Sequence, residues 1–253
     1  MRLPLYPLPR LAYFFLGFAH ILLGTNQDHR EILVPYVYGN CFLQPLANTN
    51  LPPSPLTLNK QIDEVLPFAI GTSSDSFLEI DFRDEDKITK IRLGNASALE
   101  FLKLNHYQLH KGALLLFHED TQTWNFHVSD SLIQILGSGT WMMERLSFGI
   151  KVILLEGKLT ITNIGEKSIL SNGDLVLVNQ ANPRGTNPIK VDLPLLLGTS
   201  RLINGFPSAL PSKSRLFSAA QVQALRMKKK YDALVGDVTN EKKLQLWSVL
   251  QNK

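Results

Sequence analysis

The chain has 253 residues, 44% hydrophobic and 19% charged, which is enough to bury the core of one large domain or two small ones. Its formal net charge of +4 belongs to the ends: residues 1–24 carry +2 and residues 211–253 carry +6, leaving 25–210 at −4. A mildly acidic body lacks the basic face that neutralises phosphates, which argues against a nucleic-acid-binding domain. Cys41 is the single cysteine, so no intrachain disulfide and no cysteine-based metal site can form.

Arg2 and Arg10 lead into an apolar run over 11–24, followed by the polar stretch TNQDHR. A basic lead, an apolar stretch and a polar exit resemble a secretory signal. The run is shorter than the ~20 residues that span a bilayer. Residues 1–24 are therefore expected to be a signal peptide or an uncleaved signal anchor, which places the chain in the periplasm or cell envelope and gives it a means of membrane association. The cleavage site is poorly defined: Gly17 and Ala19 would leave a very short apolar core, and Gly24 has Leu22 near the −3 position. The competing reading is a buried N-terminal element of a cytosolic protein. Tyr38-Gly39-Asn40 before Cys41 is no lipoprotein box, so no lipid anchor is expected there.

Residues 32–66 are Pro-rich and predict one or two short strands and a surface loop, because proline cannot donate to a sheet ladder. Regular alternation starts after Leu66. Leu78, Ile80 and Phe82 fall on one face with Glu79 and Asp81 opposite, and Ile91 and Leu93 oppose Lys90 and Arg92. Period two marks a half-buried strand. Further strands are predicted over 98–104, 107–109, the HKGALLLFH segment, and TWNFHVS, where Trp124, Phe126 and Val128 alternate with Asn125 and His127. Gly137, Gly139 and Thr140 predict a bend. Segments 141–144 and 150–155 can pair across 145–149, and strands over 158–162, 168–170 and 175–178 follow turns at Gly157, Gly165 and Gly173. About ten short strands at this spacing predict a mainly β chain, a single sandwich or roll over 32–206.

Beyond Pro183 the pattern changes. VDLPLLLGTSRLINGF is apolar with prolyl and glycyl breaks. Segments 218–235 and 239–251 have helix-forming composition, and Leu244, Trp247 and Leu250 give the last of them a narrow apolar stripe. Residues 207–253 are thus expected to form a basic helical tail that docks on the body or on a partner.

In its order of motifs, the chain from about Leu66 to Phe206 resembles the extracytoplasmic β-domain of the FecR family. IGTSSDSFLEIDF, IRLGNASALEF, HKGALLLF, GSGTWMME, VILLEGKLTI and SILSNGDLVLVN carry the resemblance, and VDLPLLLGTSRLINGF is similar to the tail of stand-alone exported members. The resemblance implies an envelope β-domain. Full-length members relay signals to a sigma factor through an N-terminal cytoplasmic module. Only ten residues precede the apolar run here, so sigma-factor regulation is not expected of this chain.

The rival is catalytic. LLEGKLTITNIGEKSILSNGDLVLVN also resembles the second half of a cupin, a fold that often holds a metal on histidines and a glutamate. His106, His110, His118 and His127 include no His-x-His pair, and His106 and His110 would be well separated on a strand. Glu156 reads as a turn carboxylate. Ser138 lacks the spacing of a nucleophile elbow, and the glycines around it precede a strand where a phosphate loop needs a helix. Trp124, Phe126, Trp141 and Phe148 could line a ligand groove, with core packing as the plainer role. Lys228–Lys230 could touch anionic lipid or nucleic acid, with a solvated helix end as the plainer role. The expectation is a non-catalytic exported protein acting in binding or assembly, with no catalytic, cofactor or metal residues, no cofactor and no nucleic-acid partner. Its partner is expected to be another envelope protein or a polysaccharide. A cupin-like small-molecule binder or metal-dependent enzyme is the alternative.

Overall fold

A computed structural model of the chain describes residues 31–47, 50–63, 66–84, 87–128, 131–179 and 185–227, together with the backbone of 232–234 and 247–248. The expected signal segment 1–24 and the lysine run 228–230 lie outside these residues. Among the described residues, no helix is long and apolar enough to cross a membrane.

The protein is mainly β, with a few helices near its C-terminus. Nine short strands come first: β1 (Glu31–Tyr38), β2 (Cys41–Pro45), β3 (Ser54–Pro55), β4 (Lys60–Gln61), β5 (Phe68–Thr72), β6 (Phe77–Asp84), β7 (Lys87–Leu93), β8 (Ala98–Lys103) and β9 (His106–Lys111). Three long strands follow, β10 (Ala113–Val128), β11 (Ser131–Leu146) and β12 (Gly149–Asn163), and then β13 (Glu166–Leu170), β14 (Asp174–Asn179) and β15 (Ile189–Val191). Helices α1 (Leu193–Thr199), α2 (Arg201–Asn204) and α3 (Lys213–Met227) precede two further short strands, β16 (Asp232–Leu234) and β17 (Trp247–Ser248).

The long strands organise the molecule by belonging to two wings at once. The first half of β10 pairs antiparallel with β7, Leu114 opposite Leu93 and His118 opposite Thr89. Its second half pairs in parallel with β9, Asn125 opposite His106. In the same way β12 pairs with β14 near its start and with β13 near its end. One wing therefore runs through β1, β6, β7 and β14, and the other through β2, β5, β8, β9 and β13. Residues of both wings, among them Ile80, Ile91, Phe68, Phe101, Trp124 and Trp141, meet in one buried apolar core.

The sequence predicts separate short strands where the fold has these continuous ones. The cause is a set of glycines that bend strands without ending them. Gly139 (φ +114°) lies opposite Gly157 (φ +109°), and a Cβ on either would collide with backbone of the facing strand. Only glycine tolerates that conformation at so close an approach. Register shifts between His118 and Gln122, and between Thr140 and Trp141, add bulges at the same level and increase the local bend. Gly173 is a turn residue, as the sequence predicts.

The outer face of the first wing is covered as well. Leu115, Ile153, Leu155, Leu175 and Leu177 project from the sheet onto Leu193, Leu197, Leu202, Leu210, Leu216 and Ala219. Asp192 caps α1 by accepting from the Leu195 amide at 3.0 Å, with Pro194 in the first turn. Helix α3 starts five residues earlier than the predicted 218 and spans Lys213–Met227, while Asp232–Leu234 is a strand pairing in parallel with β15. Within the predicted terminal helix 239–251, Trp247–Ser248 is a strand paired with β16; its backbone hydrogen bonds override a weak helical propensity. The rest of that segment, with Leu244 and Leu250, lies outside the described residues.

Candidate functional site

Three charged or polar centres stand out, and they differ in how much of their chemistry is already spent. The first joins β6 and β7. Their register sets Glu79 opposite Arg92 and Asp81 opposite Lys90. Lys90 Nζ donates to Glu79 Oε1 and to Asp81 Oδ1, both at 2.7 Å, and Arg92 Nε donates to Glu79 Oε2 at 2.6 Å. The remaining guanidinium nitrogens donate to the carbonyls of Leu202 (3.2 Å), Ile203 (3.0 Å) and Ser208 (2.5 Å), and the group lies 4.4 Å above the Phe206 ring. Ser208 Oγ donates back to Glu79 at 2.8 Å.

These four charges sit on what alternation marks as the solvent face, yet all are buried, and the 202–210 segment closes over Arg92 and Glu79. Burial on its own would raise the Glu79 carboxyl. The hydrogen bonds and charges of Lys90 and Arg92 outweigh it and hold Glu79 below its ordinary range. Burial pulls the Arg92 guanidinium down, opposed by Glu79 and Asp81. Arg92 and Glu79 are held by both the sheet and the 202–208 stretch, so the cluster is a clamp between sheet and C-terminal segment.

The second centre is Glu156, at the strand bend. It is buried and accepts from Thr140 Oγ1 at 2.9 Å and from Arg215 Nε at 3.2 Å. Thr140 in turn meets Ser212 Oγ at 2.5 Å. Glu156 is therefore more than a turn carboxylate: it anchors the first turn of α3 to the bend between the two wings.

The third centre is the groove beside that anchor. It encloses about 980 Å³ between the outer face of β11, β12 and β13 and the flank of α3. Leu136, Thr160 and Ile169 form one cross-strand row on its floor, since Leu136 lies opposite Thr160 and Thr160 opposite Ile169. Leu136 is 45% exposed, Ile169 75%, and Val222 on α3 47%, although an apolar side chain in the neighbouring core is nearly always sealed. Of the ionisable side chains that line the groove, four are basic (Lys158, Lys190, Arg215, Arg226) and one acidic (Glu156). Lys190 is paired with Asp174 at 2.7 Å, and Arg215 with Glu156 at 3.2 Å and Glu119 at 3.6 Å. Lys158 and Arg226 are exposed and unpaired among the described residues. No spacing motif marks these positions. The only sequence signal is that Leu136 and Ile169 are apolar at steps of the alternation that point outward.

The histidines of the catalytic reading are dispersed. His118 Nδ1 bonds Thr89 Oγ1 at 2.8 Å and its ring packs edge-on to Trp124; His110 Nε2 lies 2.8 Å from Glu100. His106 and His127 approach to 6.1 Å between ring centroids, with His106 lowered by burial first and then by Lys103 and His127. Among the described residues no three His, Cys, Asp or Glu side chains come together as a metal site would require. Trp124, Phe126 and Trp141 are core residues, and Phe148 packs against the cluster under the helices. Ser138 lies opposite Lys158 in the β11–β12 ladder. Cys41 is buried, and burial pushes its thiol up to about 11.

No family model and no curated protein matches the chain. Among solved structures, it is similar to a candidate anti-sigma factor from Parabacteroides distasonis ATCC 8503, at 11% identity and a TM-score of 0.40, over 73% of this chain and 100% of that one. A likeness this slight says nothing of what the present chain does.

Proposed function

We propose that this chain is a non-catalytic protein of the cell envelope, built on a FecR-like β-domain, that works by binding or assembly with another envelope component. The order of motifs between Leu66 and Phe206 supports the domain, and the basic–apolar–polar pattern of residues 1–24 supports export. The observation that carries the binding role is the groove: exposed apolar side chains and two cations unpaired among the described residues line one concave surface. Apolar surface left open among charged neighbours is the usual mark of a contact site.

The reading is tested by fractionating cells that produce the full chain and sequencing the N-terminus of the mature protein. Recovery with the envelope or periplasm agrees with it. An intact Met1 in the soluble cytosolic fraction overturns it. Stoichiometric metal in the purified protein, lost on replacing His118 and His127, would overturn the non-catalytic part in favour of a cupin-like site.

A further inference from the structure

We infer that the groove between α3 and the β11–β13 face binds an acidic peptide segment of a partner protein; this deepens the binding role proposed above and rests on it. Charge complementarity decides the sign. Of the four basic side chains that line the groove, Lys190 is paired with Asp174 and Arg215 with Glu156 and Glu119, which leaves Lys158 and Arg226 as its uncompensated charge. Lys158 and Arg226 stand exposed at this site with no carboxylate of the described residues to neutralise them. Two uncompensated cations that line one groove attract an anionic ligand. Both ends of this chain are basic, +2 over 1–24 and +6 over 211–253, so neither is matched in charge to the groove.

The floor decides the class of anion. Leu136, Ile169 and Val222 line the groove between the cations, and no aromatic side chain lines it. An acidic polysaccharide or a nucleic acid would find no ring to stack on and nothing to do with exposed aliphatic carbons. A peptide with alternating acidic and aliphatic residues satisfies both surfaces, placing leucine-like side chains on the Leu136–Ile169 row and carboxylates toward Lys158 and Arg226. Arg215, held by Glu156, fixes the depth of the groove and is not itself free to recruit.

The test is fluorescence anisotropy of a labelled peptide of twelve alternating Asp and Leu residues, titrated with the full chain. Saturable binding is expected, weakened by raising the salt, absent for the Lys-Leu counterpart, and not displaced by polygalacturonate. The double variant Lys158→Glu/Arg226→Glu should weaken binding by roughly tenfold or more, and Ile169→Asp should weaken it through the floor. Both changes lie on the surface, and an unchanged thermal unfolding curve shows that the fold is intact. No binding by the wild type, equal binding by the double variant, or full displacement by polygalacturonate would each overturn the assignment. Any of these results would leave export and binding elsewhere on the molecule standing. A cytosolic chain that still binds the peptide would sink the envelope reading and keep the groove.

Discussion

The clamp around Arg92 and the groove around Lys158 are both rich in charge, and they lie on outer faces of the same sheet system. They differ in whether the protein has covered them. At the clamp, the 202–210 segment supplies three carbonyls and a hydroxyl, which hold Arg92 and Glu79 within the fold. At the groove, the outer flank of α3 leaves the second wing uncovered, with cations beside bare aliphatic carbon. The comparison separates charge that builds a fold from charge that can recruit a partner. The two should respond in opposite ways to mutation: the clamp through stability, the groove through binding.

The largest effect is expected from Arg92→Ala. It strips Glu79 of a buried partner and frees three carbonyls of the covering segment, and removing one member of such a buried pair costs about 3–5 kcal/mol. Denaturant unfolding of the purified chain measures it, and a change no larger than that of a surface substitution would break the distinction between the two regions. Next comes Gly157→Ala at the strand bend. Its φ of +109° and the facing Ser138 carbonyl leave no room for a Cβ, so a loss of roughly 2–3 kcal/mol is expected from backbone strain.

Acid should weaken the clamp. Glu79 is held below its ordinary 4.5, so the folded state binds fewer protons there than the unfolded state does. The stability it gives is complete above that ordinary value and drains away as pH falls through the lowered one. The unfolding midpoint should drop as the pH falls below about 4.5, and Glu79→Gln should lose part of that dependence at the cost of a lower starting stability. The smallest effect is expected from Lys158→Glu and Arg226→Glu, each within about 0.5 kcal/mol of the wild type. A large destabilisation by either would mean that the groove cations are structural after all.

Much of the fold is legible in the sequence because it is written in alternation. Leu78, Ile80, Ile91, Leu93, Trp124, Phe126 and Val128 all face the core as period two requires. The pairing of 141–144 with 150–155 is legible too, although the strands run on to Leu146 and Gly149 and leave a tighter turn than the predicted 145–149 loop. The length of β10, β11 and β12 is not legible, since the bend at Gly139 and the turn predicted at Gly157 read as strand ends, and only the facing strand shows that the ladder runs on through them. The burial of Glu79, Asp81, Lys90 and Arg92 is not legible either. Two acids opposite two bases in adjacent strands look the same whether water or a distant segment covers them, and the covering segment lies more than a hundred residues away. The groove was hidden for the same reason: its floor and its wall come from strands and a helix that no local pattern joins. Aromatic residues that could have lined a ligand site went to the core, and the aliphatic Leu136 and Ile169 took the open surface.

The central claim is that this protein meets its partner at the groove. Site-specific photo-cross-linking in cells, from a photoreactive residue at position 136, tests it most directly. The account predicts an adduct with an envelope protein that disappears when Lys158 and Arg226 are both replaced by Glu, and no such adduct from position 38 on the other wing. The absence of any adduct from position 136, or one that survives the double replacement undiminished, would contradict it.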